Sequence, residues 1–377
     1  MPVLNRPGTF ELSDPAVGLR GFLVVDRVAG GLCMGGLRFA PNVSAAQLAR
    51  LARLMSLKFG VLGLPIGGAK AGIAGSRGPG DGALLRRAAE LLAAHLRDGF
   101  LVGEDLGTTG AEIAAVYAHA SVDPLDVVRS RAGGGAGALA ASGPVDLAEL
   151  LSDRVTGTVA GNGVAVAAAA AAEQIGLRLD ACLVAVQGFG SVGRAAARRL
   201  RELGATIAAV ADVEGTVCAP GGLDLDDLER ARDVRGRIDR RRLRRPVTLL
   251  PGDDWCRLPV HVLVPAAVED AITPDVADRL HRRVRLVVEA ANAPVQAGVE
   301  ARLERRGVAV VPDFVASAGS AAVFGLLATG RAATVEAVTA ECDRLIADAT
   351  RRVVGGDGAG TSRERATRLA EGTFGPG

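Results

Sequence analysis

Two lysines are the residues of this chain whose type and spacing point most directly to chemistry. Lys58 and Lys70 are the only lysines among 377 residues, and the other 42 of the 44 basic side chains are arginine. Arginine stays protonated, whereas lysine can lose its proton and act as a base or bind an imine-forming carbonyl. Two lysines retained twelve residues apart are therefore candidates for work that arginine cannot do, rather than accidental survivors.

The segments around the two lysines predict different settings. Ser44 followed by Gln47 is a capping-box signal for the start of a helix, and the apolar face of that helix ends at Lys58 after Leu48, Leu51 and Met55. An ammonium at the end of an apolar face needs an anionic partner or a cleft. Lys70 lies in LPIGGAKAGI, where glycines permit close approach of a ligand. Burial and a second cation nearby would lower its pKa toward that of a general base.

A glycine-rich motif in the second half of the chain predicts a dinucleotide site. The apolar stretch ACLVAVQ runs into GFGSVG, and a helical stretch follows. Between a strand and a helix, such glycines give a tight turn, backbone approach to a pyrophosphate and close helix packing. The expected cofactor-binding positions are Gly188, Phe189, Gly190, Ser191, Val192 and Gly193. The alternative is a glycine turn of an α/β fold that binds no nucleotide.

The end of the next strand predicts the type of cofactor. TIAAVAD ends at Asp212, 24 residues beyond Gly188. A carboxylate there can accept hydrogen bonds from the ribose hydroxyls and would repel a 2′-phosphate. We therefore expect NAD in preference to NADP.

Composition narrows the class of protein and its partners. With 49% hydrophobic residues, 23% charged residues and a net charge of +2, the chain is globular, and its bulk charge gives no reason to expect a nucleic-acid or membrane partner. The run 230–245 holds nine arginines. Acidic residues interrupt it and aromatic stacking partners are absent, so a solvated helix face is expected there rather than a nucleic-acid patch.

Cysteine and histidine usage indicates the compartment and argues against a metal. The five cysteines are odd in number and show no CxxC spacing, so we expect neither a disulfide framework nor a zinc site. The four histidines have no metal-ligand spacing either. The N-terminal residues lack a signal-peptide pattern, and the longest apolar run, 164–172, is too short to span a bilayer. A cytoplasmic location is therefore expected.

The order of elements predicts an α/β fold class. Five apolar runs alternate with helical stretches: ACLVAVQ, TIAAVAD, VHVLVPAA, VRLVVEAA and VAVVPD. Such runs are typical of buried parallel strands in a doubly wound, Rossmann-type domain. The segment RAGGGAGALAASGP, 131–144, is expected to be a linker or an active-site loop. The stretch from about 332 to 368 is helical by its period.

Seven motifs, in this order along most of the chain, resemble those of the glutamate/leucine/phenylalanine/valine dehydrogenase family of amino-acid dehydrogenases. They are MGGLRF, MSLKFGVLGLPIGGAKAGI, GEDLGTT, GFGSVG, PAAVEDAIT, EAANAPV and VPDFVASAGS. The resemblance implies an α/β substrate-binding and oligomerisation domain formed by 1–144 and about 331–377. It also implies a Rossmann-type NAD-binding domain at 145–330, chemistry in the cleft between the two, and a homo-oligomer.

The resemblance implies roles for individual residues. Lys58 resembles the lysine that holds the substrate α-carboxylate, Lys70 the lysine that activates water and stabilises the carbinolamine, and Asp105 the carboxylate that shuttles the amine proton. Two amines and one carboxylate also suit an α-amino acid, because its own carboxylate and amine need partners of opposite charge. The remaining implied positions are Gly35 and Gly36 lining the substrate pocket, Asn292 near the nicotinamide and the reacting centre, and Ala266 at the cofactor.

Two departures from the glutamate-specific branch predict an apolar substrate. That branch has a lysine before the Gly-Gly pair and a serine after the AGG turn, and this chain has Met34 and Phe324. With Gly103 and Ala321 these residues would line an apolar pocket, unless they are ordinary core residues. Glycine two residues before Asp105 resembles the phenylalanine-using branch.

The expected reaction is the NAD-dependent oxidative deamination of an L-amino acid with an apolar side chain, aromatic ones included, to the 2-oxo acid and ammonia, or its reverse. One alternative is a glutamate dehydrogenase, which the missing side-chain anchors disfavour. The other is a catalytically retired NAD-binding protein, which would tolerate loss of Lys58, Lys70 or Asp105. All three residues are present.

Overall fold

The chain divides into two compact units that exchange segments near the C-terminus. The computed structural model describes residues 6–78, 80–131, 153–233, 236–332, 334–356 and 358–375. The first unit consists of Met1–Asp153, Ala321–Val338 and Leu369–Gly377, and the second of Arg154–Ser320 and Thr339–Arg368. Apart from its first residue, the glycine-rich segment 131–144 lies outside the described residues.

The first unit is built on a five-stranded mixed sheet in the order β1-β2-β4-β3-β5. Its strands are β1 Gly8–Asp14, β2 Leu19–Val25, β3 Cys33–Ala40, β4 Gly67–Ala74 and β5 Phe100–Glu104, and its helices include α1 Ala45–Val61, α2 Asp81–Arg97, α3 Gly110–Ala120 and α4 Pro124–Arg131. β2 runs antiparallel to β1 and β4, and β3 runs parallel to β4 and β5. Helix α1 begins as predicted, because the Ser44 side chain accepts the Gln47 N–H at 3.2 Å.

Alternation along the strands gives this sheet two different faces. Ala69, Ala71 and Ile73 of β4 point into the main core of the unit, where α2 and α3 pack. The opposite face is covered by α1, which approaches closely because β4 has glycine there. A Cβ on Gly68 would lie 2.2 Å from both the Ala52 carbonyl oxygen and the Ser56 nitrogen. Lys70 lies on this second face, which we call the α1 face.

The second unit is built on a seven-stranded sheet in the order β12-β11-β10-β6-β7-β8-β9. Its strands are β6 Leu183–Gln187, β7 Thr206–Asp212, β8 Gly215–Cys218, β9 Thr248–Leu250, β10 Val262–Pro265, β11 Leu286–Val288 and β12 Ala309–Val311. The five predicted strands are present and parallel to one another, which confirms the Rossmann-type expectation. Two further strands, β8 and β9, extend the sheet antiparallel after a tight turn at Gly215, whose φ is 127°.

The remaining helices include α5 Asp153–Gln174, α6 Ser191–Glu202, α7 Leu225–Ala231, α8 Pro274–Arg279, α9 Val299–Arg305, α10 Asp313–Ala316, α11 Gly319–Ala328, α12 Val335–Val354 and α13 Ser362–Gly372. In α5, the stretch Val155–Gln174 is long and apolar enough to cross a membrane, but 67% of the most apolar window is buried inside the protein. Burial of this kind is typical of a core helix.

The arginine-rich run differs from the predicted helix face. Helix α7 ends at Ala231, and residues 240–242 form a single 3₁₀ turn. The buried carboxylate of Asp227, inside α7, accepts the backbone N–H groups of Arg244 and Arg245 at 2.7 and 3.1 Å, which ties the end of the run to this helix. Arg240 turns inward and pairs with an acidic side chain.

The C-terminal helices also divide differently from the sequence expectation, which gave 331–377 to the first domain and 145–330 to the second. Residues 339–368 belong to the second unit and 321–330 to the first. The physical reason for the first difference is that the buried face of α12 packs on α5. A Cβ on Gly163 would lie 2.6 Å from the Ile346 Cδ1 atom.

Candidate active site

Lys70 and Asp105 meet on the α1 face of the first unit, and Arg38 joins them. The Lys70 Nζ atom lies 3.2 Å from Oδ1 of Asp105, and the Arg38 Nε donates to Oδ2 at 2.7 Å. Lys70 is in β4, Arg38 is in β3, and Asp105 directly follows β5. The side chains are 8%, 15% and 18% exposed in the order lysine, arginine, aspartate. The site is therefore two cations sharing one carboxylate.

The glycine pair between these strands has a packing role. A Cβ on Gly35 would lie 1.7 Å from the Ala69 carbonyl oxygen, next to Lys70. A Cβ on Gly36 would lie 2.4 Å from the Glu104 carbonyl oxygen and 2.8 Å from Cβ of Asp105. The two glycines thus let β4 and β5 approach β3 closely, which brings the lysine and the aspartate together.

The electrostatics of the site lower the pKa of both the amine and the carboxylate. Burial lowers the pKa of Lys70, and although Asp105 opposes this, the pKa stays below its ordinary value, with Arg38 lowering it further. Burial alone would raise the pKa of Asp105, but Lys70 and Arg38 outweigh burial and hold it below its ordinary value. A buried lysine with a lowered pKa is the kind of group that serves as a general base.

Asp105 is free for this pairing because it does not cap the following helix. Thr109 caps α3, forming a capping box with Glu112. The Thr108 hydroxyl accepts the Asp105 N–H at 3.1 Å and donates to the Leu37 carbonyl at 2.7 Å. The backbone of Asp105 is therefore fixed to β3, while its carboxylate points to the lysine and the arginine.

Lys58 lies in the last turn of α1, the helix that covers the α1 face, and is 9% exposed. The sequence prediction that it points inward is therefore confirmed, since the apolar residues sharing its helix face are buried or half-buried.

The four residues predicted to line an apolar pocket lie in the first unit, and two of them are in contact. A Cβ on Gly103 would lie 3.2 Å from Cζ of Phe324. Met34 shares the α1 face with Gly36, which pairs with Gly103 across the sheet, and is 2% exposed. Ala321 lies one turn before Phe324 on α11. Phe324 also lines an apolar cavity of about 50 Å³ beside β5, with Leu101, Val102, Tyr117, Pro124, Leu125, Val128, Leu327 and Ala328.

The glycine-rich motif forms the turn between β6 and α6 in the second unit. Gly188 has a φ of 96°, which favours glycine, and a Cβ on it would lie 3.0 Å from the Ala266 carbonyl oxygen. A Cβ on Gly193 would lie 2.1 Å from the Gly188 carbonyl oxygen, whereas around Gly190 the described residues leave open space. Close packing at the first and third glycines with room at the second is the form that a pyrophosphate requires at a helix N-terminus. Within the motif, Phe189 is buried, Ser191 is exposed and Val192 is half-buried.

Asp212 lies at the end of β7 as predicted, but its carboxylate is already occupied. Arg240 donates to Oδ1 and Oδ2 at 2.5 and 2.6 Å, and the Glu214 and Ile238 N–H groups donate at 2.9 and 2.7 Å. A carboxylate offers about four acceptor positions, so none is left for ribose hydroxyls unless a bond opens. Burial would raise the pKa of Asp212, but Arg240 outweighs it and the pKa lies below its ordinary value. The expectation of a free ribose-binding carboxylate therefore needs correction.

Asn292 is exposed in the turn after β11, in the second unit. The Ala290 and Ala291 N–H groups preceding it both donate to the Pro265 carbonyl at 3.0 Å. Pro265 ends β10 and precedes Ala266, which adjoins Gly188. Ala266 and Asn292 are thus brought to the same edge of the sheet as the glycine-rich motif.

The part of the chain that the structure describes contains no group of three or more histidine, cysteine, aspartate or glutamate side chains arranged to hold a metal ion. The five cysteines are free and buried.

Sequence reasoning missed Arg38 as a partner of Asp105 and Arg240 as a partner of Asp212. For Arg38 a signal existed, because it lies two residues after Gly36 in MGGLRF and so shares its strand face. For Arg240 there was no local signal, since 28 residues separate it from Asp212.

A glycine cradle at the carboxyl end of a Rossmann-type sheet, together with a buried lysine–aspartate pair on a second α/β unit, defines a nicotinamide-dependent dehydrogenase of a small substrate. Comparison with known proteins gives the family. The chain belongs to the glutamate/leucine/phenylalanine/valine dehydrogenases: residues 152–367 match the Glutamate/Leucine/Phenylalanine/Valine dehydrogenase family, and 10–121 match its Glu/Leu/Phe/Val dehydrogenase, dimerisation domain.

Individual relatives and structures agree with this family. The chain is 33% identical over 322 residues to the glutamate dehydrogenase of Aeropyrum pernix, covering 84% of this chain and 73% of that protein. The hetero-hexameric glutamate dehydrogenase of Thermus thermophilus, in a leucine-bound form, is 30% identical with a TM-score of 0.72, covering 98% and 88% of the two chains. The L-tryptophan dehydrogenase of Nostoc punctiforme shares the fold, with 19% identity, a TM-score of 0.68 and coverage of 97% and 95%. Curated relatives include one named NADP(+)-dependent and one named NAD-specific.

Proposed function

We propose that this amino-acid dehydrogenase oxidatively deaminates an L-amino acid with an apolar side chain, or runs the reverse reductive amination. The observation that carries the proposal is that the Phe324 ring forms an apolar surface beside Gly103. A Cβ on Gly103, which lies two residues before Asp105, would be 3.2 Å from the Phe324 ring. A substrate held by that pair would direct its side chain to a surface without a charged partner.

The chain's residues divide the chemistry of this reaction. Lys58 would hold the α-carboxylate of the substrate, and a bound nicotinamide would supply the acceptor for the hydride that leaves Cα when the amine becomes an imine. Lys70, as a neutral amine, takes a proton from the water that adds to the imine carbon. Asp105 accepts the proton that the substrate ammonium loses before hydride transfer and returns it to the amino group of the carbinolamine. Ammonia then leaves with the C–N electron pair, and the carbinol oxygen gives its proton to solvent as the 2-oxo acid forms.

Arg38 keeps the two proton carriers in the right charge states. Its guanidinium stabilises the ionised form of Asp105 and lowers the pKa of Lys70. The lysine can then be neutral at a pH where an isolated lysine is charged, and the aspartate can accept a proton when one is delivered.

The specificity proposal is tested with a panel of amino acids. We expect kcat/KM for phenylalanine, leucine, valine or tryptophan to exceed that for glutamate by more than about a hundredfold, because a buried carboxylate without a partner is costly. Both NAD and NADP should be supplied. A glutamate value above all the apolar substrates would show that Met34 and Phe324 do not stand where glutamate anchors would.

Glutamate is the second candidate substrate, because the relatives at 33% identity are named glutamate dehydrogenases. Binding of glutamate would require a cation that pairs with its side-chain carboxylate. At the two positions equivalent to the anchors the chain has Met34 and Phe324. Met34→Lys separates the candidates: under the apolar proposal this variant should gain activity with glutamate and lose activity with leucine, while a wild-type glutamate enzyme would gain nothing from it.

We propose NAD as the cofactor on the basis of the ion pairs that the arginines near Asp212 form. A 2′-phosphate needs a cation that is not already neutralised. Asp212 neutralises Arg240, and Glu214 and Asp233 pair with Arg237. We expect Asp212→Ser to narrow the preference for NAD by freeing Arg240, and Arg240→Gln to widen it by leaving Asp212 uncompensated. Opposite shifts in the ratio of kcat/KM for the two cofactors support the proposal, and a wild-type preference for NADP contradicts it.

A homo-oligomer is proposed as the working assembly. The support is that residues 10–121 match a dimerisation domain and that a similar enzyme assembles as a hetero-hexamer. Light scattering coupled to gel filtration tests this directly, and a monomer at micromolar concentration would contradict it.

A further inference from the structure

The turn that presents Asn292 is held in an uncommon backbone conformation. Ala293, the next residue, has a φ of 44°, in the left-handed region that residues with a Cβ adopt only when their surroundings fix them. Two hydrogen bonds fix this one. The Ala293 N–H donates to Oδ2 of Asp313 at 3.0 Å, and the Asp270 N–H donates to the Ala293 carbonyl at 3.0 Å. Asp313 therefore directly shapes the backbone beside Asn292.

Asp313 is held by Arg363, a half-buried arginine at the start of α13. The Arg363 Nη1 lies 2.9 Å from Oδ1 of Asp313, and Nη2 donates to Oε2 of Glu289. The same Glu289 oxygen accepts the Asp313 N–H at 2.9 Å. The Arg363 Nε lies 3.1 Å from Oε2 of Glu300. We call these four residues the Arg363 cluster; its three carboxylate side chains are at most 7% exposed.

The start of α13 is anchored independently of the Arg363 guanidinium. The Ser362 N–H and hydroxyl donate to Oε1 of Glu304 at 2.8 and 2.7 Å. The Arg363 backbone N–H donates to Oε1 of Glu300 at 2.8 Å. Removing the guanidinium therefore leaves the helix attached, while Asp313 loses its cation.

The turn at Asn292 borders the dinucleotide motif. Its first residues bond to Pro265 at the end of β10, and Ala266, the next residue, lies against Gly188. All of these groups are at the carboxyl ends of parallel strands, where dinucleotides bind in such sheets. A change in the shape of this turn would therefore alter the geometry of the cofactor site.

We infer that Arg363 is a positioning residue for the nicotinamide end of the cofactor. Its guanidinium holds Asp313, Asp313 holds the left-handed Ala293, and Ala293 directs the Asn292 side chain. The inference rests on the proposed function and on the place near the nicotinamide that the family resemblance implies for Asn292. Arg363 itself touches neither substrate nor cofactor, so its effect must pass through Asn292.

The test compares binding of NAD with binding of ADP-ribose, which lacks the nicotinamide, by calorimetry on the full chain. We expect Arg363→Met to weaken NAD about tenfold, a coupling typical of residues in one hydrogen-bond network, while ADP-ribose affinity changes less than twofold. Arg363→Lys, which keeps the cation, should recover part of the loss. Ser362→Ala, which removes an anchor of α13 without touching Asp313, is the matched control and should bind both ligands like wild type.

A double variant shows whether the effect passes through Asn292. With Asn292→Ala already present, Arg363→Met should weaken NAD by less than twofold further. A full additional loss in that background, or equal losses for NAD and ADP-ribose, would overturn the inference, as would wild-type NAD binding by a folded Arg363→Met. If the wild-type chain binds neither NAD nor NADP, the proposed function fails instead, so the two failures are distinguishable. Thermal unfolding of each variant shows whether it is folded. If Arg363→Met does not fold, Arg363→Lys takes its place in the binding comparison.

Discussion

At the scale of single residues, Lys70 allows charge and proton transfer to be separated experimentally. Lys70→Arg keeps the cation beside Asp105 but cannot be deprotonated at working pH. We expect turnover to fall by at least about a hundredfold, the lower end of what general acid–base catalysis contributes, while NAD affinity stays within a few-fold of wild type. Steady-state rates and cofactor titration measured together decide this. Activity close to wild type would remove Lys70 from the role of base.

Arg38 should control the pH at which the enzyme becomes active. Its charge lowers the pKa of Lys70, so Arg38→Leu should raise that pKa. The neutral amine then forms only at higher pH, and the rise of kcat/KM with pH should move in the alkaline direction. Arg87→Leu removes an arginine that pairs with Asp14 at a distance from the site and is the control. An unmoved profile for Arg38→Leu would mean that the charge of Arg38 does not reach Lys70.

Sequence reasoning identified these residues unevenly, for physical reasons. The glycine-rich motif could be predicted because its chemistry is local to six consecutive residues. The family resemblance gave Lys70 and Asp105 separate roles, but their pairing was not predicted, because it depends on the register of three strands. The occupation of Asp212 by Arg240 could not be predicted, because no sequence pattern shows how the chain returns to Asp212 after β8 and α7.

At the scale of elements, the contact between β5 and α11 should set the depth of the substrate pocket. The methyl group of Gly103→Ala would meet the Phe324 ring at 3.2 Å, tighter than ordinary contact. We expect preference to move from aromatic toward branched aliphatic substrates, by about 1–3 kcal/mol in the ratio of kcat/KM values. Phenylalanine, leucine and valine are the substrates to compare. An equal loss of kcat/KM with all three substrates would indicate distortion of β5 rather than a shallower pocket.

The close packing of α1 on β4 should depend on the absence of a side chain at Gly68. A methyl group at Gly68 would lie 2.2 Å from backbone atoms of α1, so Gly68→Ala should destabilise the protein by about 1–3 kcal/mol. Gly82→Ala is the matched control, because Gly82 is in the helix α2 with open space around it among the described residues. It should stabilise the protein by about 0.5–1 kcal/mol. Denaturant unfolding measures both, and equal effects would contradict the packing argument.

Most elements of the second unit could be predicted, because buried parallel strands produce continuous apolar runs. β8 and β9 could not, since they are short and follow a turn rather than a hydrophobic pattern. Helices α12 and α13 were expected as one helical stretch. The break between them falls at Gly355 and Gly356, where glycine weakens a helix.

At the scale of the whole molecule, stability should carry the pH signature of a buried acid. Burial raises the pKa of Glu289 from 4.5 to about 8, so the folded state holds a proton that the unfolded state releases at lower pH. Stability from this group is complete below pH 4.5 and is lost as the pH rises toward 8. Glu289→Gln should therefore have a Tm that falls less between pH 5 and 8 than that of wild type. Glu269→Gln, at an exposed carboxylate, is the control, and parallel curves for wild type and Glu289→Gln would contradict the expectation.

The exchange of C-terminal segments between the two units could not be foreseen from sequence. Helical periodicity shows that α12 has an apolar face but not which partner covers it. The small residues of α5, such as Gly163, provide that partner. The boundary therefore depends on packing between segments nearly two hundred residues apart.

The near-absence of lysine has a consequence for chemical modification. Both lysines are buried, at 9% and 6% exposure of the whole residue, so apart from the α-amino group of the chain almost no primary amine is open to reagents. Acylating agents and aldehyde crosslinkers should label the folded protein sparingly, and any lysine adduct must be at Lys58 or Lys70. Mass spectrometry of such adducts, with and without a bound 2-oxo acid, would report access to two amines alone. Attachment of this enzyme to a support should accordingly use carboxylate chemistry, which leaves both amines untouched.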